Sequence, residues 1–289
     1  MSGGTLVLLA GLLSGAITLV LVFRLRDLRA PRAANYRGQR LPVVLGLAIT
    51  AGLTIAIVAV ALVDAGQYRL FPSSRAGLEI LASILLVFAG GLVDDVQPSR
   101  VHGLVRHFQE LFRGRVTSGI VKLAVTVVAA TVLGVATRQH GLRLALCIPL
   151  VAGAANLWNL LDVAPGRAIK WFLPAGGVAL ALRPTYGFAP FEAAALGGAL
   201  IALPFDLAEV AMLGDSGAYV LGFVAGGGLF LRLSTVGATI ALAVVVALHV
   251  LAETVTLTAL IRAAPPLRWL DDLGRLPEQD LRPESSASG

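Results

Sequence analysis

The sequence predicts an all-α fold, a polytopic membrane bundle of about nine to ten transmembrane helices with its candidate functional residues at the cytoplasmic face. Three observations predict it. Of 289 residues, 57% are hydrophobic and 14% charged, and the mean hydropathy is +0.83, which excludes an ordinary soluble domain. Apolar stretches near the ~20 residues that cross a bilayer recur along the chain. Basic residues gather in alternate loops, while short acidic strings stand at the ends of several apolar stretches. Carboxylates at a bilayer edge are costly and mark chemistry, ion paths or paired structure.

The spans read from hydropathy fall near 5–23, 43–63, 77–93, 118–137, 143–161, 171–183, 191–206, 217–233 and 236–261. The first has no basic leader and arginines after it, so it reads as a helix with its N-terminus outside rather than a cleaved signal. The span at 171–183 is short and contains Pro174, which fits a kinked or re-entrant segment equally well. The loop after the first span carries Arg24, Arg26, Arg29, Arg32, Arg37 and Arg40, and the one after the third carries Arg100, Arg106, Arg113 and Arg115. Arg167 and Lys170 follow the fifth span, and Arg262, Arg268, Arg275 and Arg282 lie in the tail. The alternate loops are poorer, with Arg69 and Arg75, Arg138 and Arg143, Arg183, and Arg232. The positive-inside rule puts the N-terminus outside and the tail inside an inner (plasma) membrane. Asp94, Asp95, Asp162 and Asp215 then share the cytoplasmic face, although no acid entered that assignment.

Residues 101–113 read as an amphipathic helix in the interface, and 266–276 as a second one anchored by Trp269. The expected organisation is a transmembrane catalytic domain over 1–262, a cytoplasmic interfacial segment over 263–276 and a disordered tail over 277–289. The small residues Ala218, Gly222 and Gly226 are spaced by four and permit close helix packing. Cys147 is the one cysteine, which excludes an intrachain disulfide. A net charge of +6 suits orientation and anionic headgroups. Nucleic acid is excluded as a partner because no basic and aromatic platform stands apart from the membrane segments.

The polar residues at the span ends carry the chemistry. Asp94 and Asp95 are adjacent and point about 100° apart on a helix, unless the helix ends there, as Pro98 predicts. Asn156, Asn159 and Asp162 form a polar stripe that suits a hard cation, or else an interhelical hydrogen-bonding seam. Gly214-Asp215-Ser216-Gly217 precedes the eighth span, where Asp215 or Ser216 could cap a helix and the helix start could receive a phosphate. Lys122, one of two lysines among 23 basic residues, either snorkels or presents a point charge to a phosphate. His249 and Glu253, four apart, read as a structural pair. Pro165-Gly166 directs a turn, from which Arg167 is expected to face the pocket and bind phosphate, with Lys170 beside it.

Taken together these strings resemble the polyprenyl-phosphate N-acetylhexosamine-1-phosphate transferase superfamily, glycosyltransferase family 4-like proteins that include phospho-N-acetylmuramoyl-pentapeptide transferase. The resemblance runs from about Asn35 to Asp215. It covers Asn35 to Pro42, Gly91-Leu-Val-Asp94-Asp95, Thr117 to Lys122, the Asn-x-x-Asn-x-x-Asp string from Asn156 to Asp162, and Leu213 to Gly217. It implies a Mg2+-dependent enzyme (with Mn2+ as a substitute) that transfers a sugar-1-phosphate from a UDP-sugar to polyprenyl phosphate and starts a cell-envelope polymer or glycolipid. Asp215 and Asn159 would hold the metal. Asp94 or Asp95 would position or deprotonate the lipid phosphate, Asp162 would order the metal or nucleotide, and Lys122 would neutralise diphosphate charge. The implied partners are polyprenyl phosphate, the UDP-sugar and membrane lipid, and a homodimer is left open.

Two departures stand out. Pro165 replaces a second aspartate of the string, and a histidine-rich cytoplasmic loop is missing. They keep open an inactive or repurposed paralogue that binds polyprenyl phosphate or a partner protein. An ion-coupled transporter fits less well, because the acids sit at one face rather than through the membrane depth.

Overall fold

The computed structural model describes residues 2–28, 30–64, 70–71, 73–97, 104–182 and 187–277, without the side chains of 74, 104, 105, 108, 182, 253 and 254. Its long helices are α1 (Gly3–Leu25), α2 (Leu45–Val63), α3 (Ser74–Val96), α5 (Ser118–Ala136), α6 (Gly141–Leu161), α7 (Arg167–Leu182), α8 (Ala189–Leu207), α9 (Gly214–Arg232) and α10 (Thr235–Thr254). Three short helices, α4 (Leu104–Phe112), α11 (Leu257–Ala263) and α12 (Pro265–Asp272), lie beyond the ends of the long ones. A two-stranded antiparallel hairpin, β1 (Arg32–Ala34) and β2 (Arg40–Pro42), joins α1 to α2.

The expected all-α polytopic bundle is present. Seven helices are long and apolar enough to cross a membrane among the described residues, fewer than the nine spans read from hydropathy. The difference falls on α7, with 16 residues and Pro174 inside, and on α9. Glycine fills much of α9, and 14 of its 19 residues are buried against protein. A helix surrounded by other helices has no need of side chains that suit lipid. The predicted span at 236–261 is two helices. α10 ends at Thr254, and the Thr256 side chain accepts from the Ala259 N–H to start α11. α4 matches the predicted interfacial helix in part, since 101–103 lie outside the described residues. Residues 278–289, where a disordered tail is expected, also lie outside them.

α9 packs against α2, α3, α6, α7 and α8. Gly46 of α2 lies on the Gly217 backbone, and a Cβ added at Gly91 of α3 would come within 2.5 Å of Ser216 Cα. Backbone cannot yield as a flexible side chain does, so any larger residue at Gly91 drives α3 off the start of α9. On the opposite side of α9, a Cβ at Gly222 would meet Ala154 O and Trp158 Cβ of α6 at 2.7 Å. This is the close packing that the spacing by four predicts. The start of α8 and the end of α9 hold a buried Glu192–Arg232 pair, with Arg232 Nη1 and Nη2 donating to the two carboxylate oxygens at 2.6 and 2.8 Å.

The β1–β2 hairpin is stitched to the loop between α8 and α9. Met212 N–H donates to Pro42 O, and Leu45 and Gly46 N–H donate to Met212 O and Leu213 O. The hairpin turn is an Asx turn, in which Asn35 Oδ1 accepts from the N–H groups of Arg37 and Gln39 at 2.9 Å.

Candidate active site

Three helix ends meet where Gly46 and Gly91 let α2 and α3 close on α9. Asp94 and Asp95, in the last turn of α3, divide as adjacent helical residues must. Asp95 points at the start of α9, where its two oxygens accept from the N–H groups of Asp215 (2.8 Å) and Ser216 (3.0 Å). α9 has no capping side chain of its own, and Gly214 leads into it at φ +73°, a conformation that favours glycine. The cap expected from Asp215 or Ser216 is thus supplied by Asp95 from another helix, which leaves the Asp215 carboxylate turned elsewhere.

Asp94 and Asp215 both pair with the Lys122 ammonium. Lys122 Nζ is 2.8 Å from Asp215 Oδ2, and it also contacts Asp94 Oδ2. Lys122 is only 7% exposed, so it does not snorkel to the headgroups. Its Nζ lies 5.2 Å from the centre of the Tyr219 ring. The Tyr219 hydroxyl donates to Asn156 Oδ1 at 2.8 Å. Asn156 Nδ2 faces His249 Nε2 at 3.0 Å, and His249 Nδ1 lies 2.8 Å from Val245 O. A carbonyl only accepts, so Nδ1 carries the proton and Nε2 accepts from Asn156. Asn156 therefore serves an interhelical seam joining α6, α9 and α10, the structural reading of that residue. His249 pairs with Asn156 rather than with Glu253, whose side chain lies outside the described residues.

Asp162 caps the C-terminus of α6 and faces a cavity lined also by Asn35, Tyr36, Pro165, Asp206, Glu209 and Leu213. Burial, with the carboxylates of Asp206, Asp215 and Asp95 near it, pushes the Asp162 carboxyl well above its ordinary range. Glu209 accepts from Asn35 Nδ2 at 2.6 Å and pairs with Arg37 at 3.0 Å.

Arg167 and Lys170 do not meet the expectation placed on them. Pro165-Gly166 does turn the chain, with Gly166 at φ +69°. The turn sends Arg167 into the protein, where it is 1% exposed. Its Nε and Nη2 donate to the two oxygens of Asp271 at 2.7 and 2.9 Å, and Nη1 donates to Thr258 Oγ1 at 2.7 Å. Lys170 donates to the carbonyls of Asp271 and Leu273, at the C-terminal end of α12. Arg275 also donates to Asp271, and to Pro165 O at 3.1 Å. The paired hydrogen bonds expected for a phosphate are made to a carboxylate of the same chain. α12 has Trp269 exposed on one face and Asp271 buried on the other.

The geometry adds residues that the sequence reading passed over. Asp206 and Glu209 are acids at the end of an apolar stretch, the signal applied to the other strings. Tyr219 and Asp271 gave no such signal.

The model of glycosyl transferase family 4 matches residues 78–235, more than half of the chain, and those residues include Asp94, Asp95, Lys122, the Asn156–Asp162 stripe and Asp215. The chain belongs to that family. Glycosyl transferase family 4 comprises polyprenyl-phosphate N-acetylhexosamine-1-phosphate transferases, as the sequence resemblance implied. A search of the curated proteins finds no match.

Family 4 enzymes generally depend on Mg2+. Among the described residues, no three His, Cys, Asp or Glu side chains converge on a point. Mg2+ does not require that, because it takes one or two carboxylates and completes its shell with waters and substrate phosphates. Asp94 and Asp215 stand side by side across Lys122. Asn159 Oδ1 is buried without a hydrogen bond among the described residues. Ser118 approaches Asp94, yet Asp94 Oδ1 also completes none. Two carboxylates side by side, with Asp94 Oδ1 free to accept a further partner, are oxygen donors of the kind a hard cation takes, so these residues fit the metal of the family.

Proposed function

We propose that this protein transfers a sugar-1-phosphate from a UDP-sugar to polyprenyl phosphate at the cytoplasmic face of the inner membrane. A lipid-phosphate oxygen forms a bond to the β-phosphorus of the nucleotide sugar. The bond from that phosphorus to the bridging oxygen breaks, and UMP leaves. The observation that carries this reading is the meeting of Asp94, Asp95, Lys122 and Asp215 from three helices within the family region.

Phosphoryl transfer needs alignment and charge neutralisation more than covalent help. Asp215, with Asn159 and Asp94 Oδ1, would hold Mg2+, which when bound withdraws charge from the diphosphate. The Lys122 ammonium, held between the two carboxylates, is the point charge available to a phosphate oxygen. Asp94 orients the lipid phosphate. Asp95 holds the start of α9 in place and so aims Asp215. Asp162 orders the nucleotide from the wall of its cavity. Asn156 acts through Tyr219 and keeps the ring under Lys122. Arg167 and Lys170 act by fixing the C-terminal segment over the α6–α7 turn.

Purified protein in detergent micelles, given undecaprenyl phosphate, Mg2+ and a panel of UDP-sugars, should release UMP with at least one of them. Retained binding of the lipid phosphate with no UMP from any sugar would favour the repurposed paralogue. One observation supports that second reading: the two cations that follow Pro165 in sequence, Arg167 and Lys170, are held by the chain's own Asp271 segment.

The same reading requires the N-terminus outside and the tail inside. Reporter enzymes fused after Arg113 and after Arg138 should read cytoplasmic and periplasmic respectively. A periplasmic reading at Arg113 would take the acids off the side where nucleotide sugars are made.

A further inference from the structure

The C-terminal segment reaches further than the partners of Asp271. α12 ends at Asp272, and Gly274, at φ +74°, turns the chain off the helix. Beyond that turn, Arg275 Nε donates to Pro165 O at 3.1 Å. Leu276 O and Pro277 O accept from Arg37 Nη2 and Nη1, at 2.7 and 3.2 Å. Pro165 belongs to the α6–α7 turn, and Arg37 to the turn of the β1–β2 hairpin. Both turns line the cavity of Asp162, the hairpin with Asn35 and Tyr36 and the α6–α7 turn with Ala164 and Pro165. One segment, 271–277, thus grips two walls of one cavity.

The donors suit the task. Leu276 and Pro277 lie past the helix, so their carbonyls have no helical partner. A guanidinium offers its N–H groups in a planar fork. Arg37 divides that fork. Its Nε lies 3.0 Å from Glu209 Oε1, which balances its charge within the protein. Its two terminal nitrogens reach the successive carbonyls of the segment. The Arg37 side chain is 5% exposed, so water competes little for these bonds. At the other end, Arg167 and Lys170 hold α12 itself, through Asp271 and Leu273. Arg275 is the side chain of the segment that reaches the backbone of the α6–α7 turn.

We propose that residues 271–277 form a brace, with Arg37 and Arg275 as positioning residues that hold the hairpin wall and the α6–α7 wall of the cavity at a fixed separation. The consequence for the nucleotide sugar rests on the transferase reading, but the brace itself does not. Two variants of the full chain test it, one at each end. Arg37→Lys keeps a cation for Glu209 and gives up the fork. Arg275→Ala releases Pro165 O and leaves Asp271 its bonds from Arg167.

In hydrogen–deuterium exchange in micelles, each variant should quicken exchange at the far wall as well as the near one. Arg37→Lys should do so in peptides covering 163–169, and Arg275→Ala in peptides covering 34–41. Quickening confined to the wall that each variant touches directly, or none at either wall, overturns the brace. Each variant should also raise the half-saturating UDP-sugar about 3–10-fold, the scale of one or two lost hydrogen bonds. The half-saturating undecaprenyl phosphate should stay unchanged, because the scheme places that substrate at Asp94 and Lys122. A merely structural role would reduce the amount of active protein and leave both half-saturation values where they were. That result, or an equal rise for both substrates, overturns the positioning role. If the wild-type protein releases no UMP, the transferase reading falls, and the exchange measurement still decides whether the segment joins the two walls.

Discussion

Asp271→Ala is expected to destabilise the protein by about 3–5 kcal/mol, the cost of leaving one partner of a buried ion pair alone. The Arg167 guanidinium is 1% exposed and would keep only Thr258 as a side-chain partner. Lys170 and Arg275 crowd the same place, so the vacancy would be cationic. Thermal unfolding in micelles measures the loss. Asp271→Asn separates charge from shape, since it keeps an acceptor but removes the negative charge, and it should fall between wild type and alanine. Melting of Asp271→Ala at the wild-type temperature would show that the C-terminal segment is an ornament of the fold.

The same carboxylate has a pH signature. Burial alone would raise it, but hydrogen bonds and charge from Arg167, with the charge of Arg275, hold it below the ordinary carboxylate range. Its contribution is fully present above the unfolded carboxylate value of about 3.9. It is lost as pH falls through the lower folded value. In Asp271→Ala the acid limb of stability should be shallower.

Lys122→Ala should lower turnover by about 10²–10³-fold, the scale seen when a preorganised charge-stabilising donor is removed. Lys122→Arg should also lose clearly. The ammonium stands between two carboxylates and over an aromatic ring, and a guanidinium is planar and broader. Asp215→Asn should keep the fold, because Asp95 and not Asp215 caps α9, and should abolish Mg2+-dependent activity. Full turnover in Lys122→Arg would leave that lysine a structural counter-ion. Unaltered metal dependence in Asp215→Asn would move the metal elsewhere.

Much of the bundle was legible because hydropathy reports what lipid accepts. It was less informative for α9, whose surroundings are protein, and for the end of α10, where Thr256 starts a new helix within an apolar run. The acidic strings were legible because a carboxylate at a membrane edge is expensive. Their division of labour was not. Nothing in Asp94-Asp95 says which one meets Lys122 and which caps a helix 120 residues on. Arg167 was misjudged for the same reason. A fork that suits phosphate suits a carboxylate equally, and the partner lies 104 residues away. Asp206 obeyed the edge-acid rule and was overlooked beside the more patterned strings.

The latch between Arg167 and Asp271 also orders events during synthesis. Arg167 leaves the ribosome 104 residues before its partner. At about 5–20 residues per second, that guanidinium waits roughly 5–20 s. Throughout the interval the nascent chain adds its later helices but has no Asp271 for the cation at the start of α7. The latch is therefore closed only after the long helices have been made, by the segment that follows them. A message cut short before codon 271 yields a protein with its long helices made and an uncompensated charge where the latch belongs, a mark that membrane quality control can read.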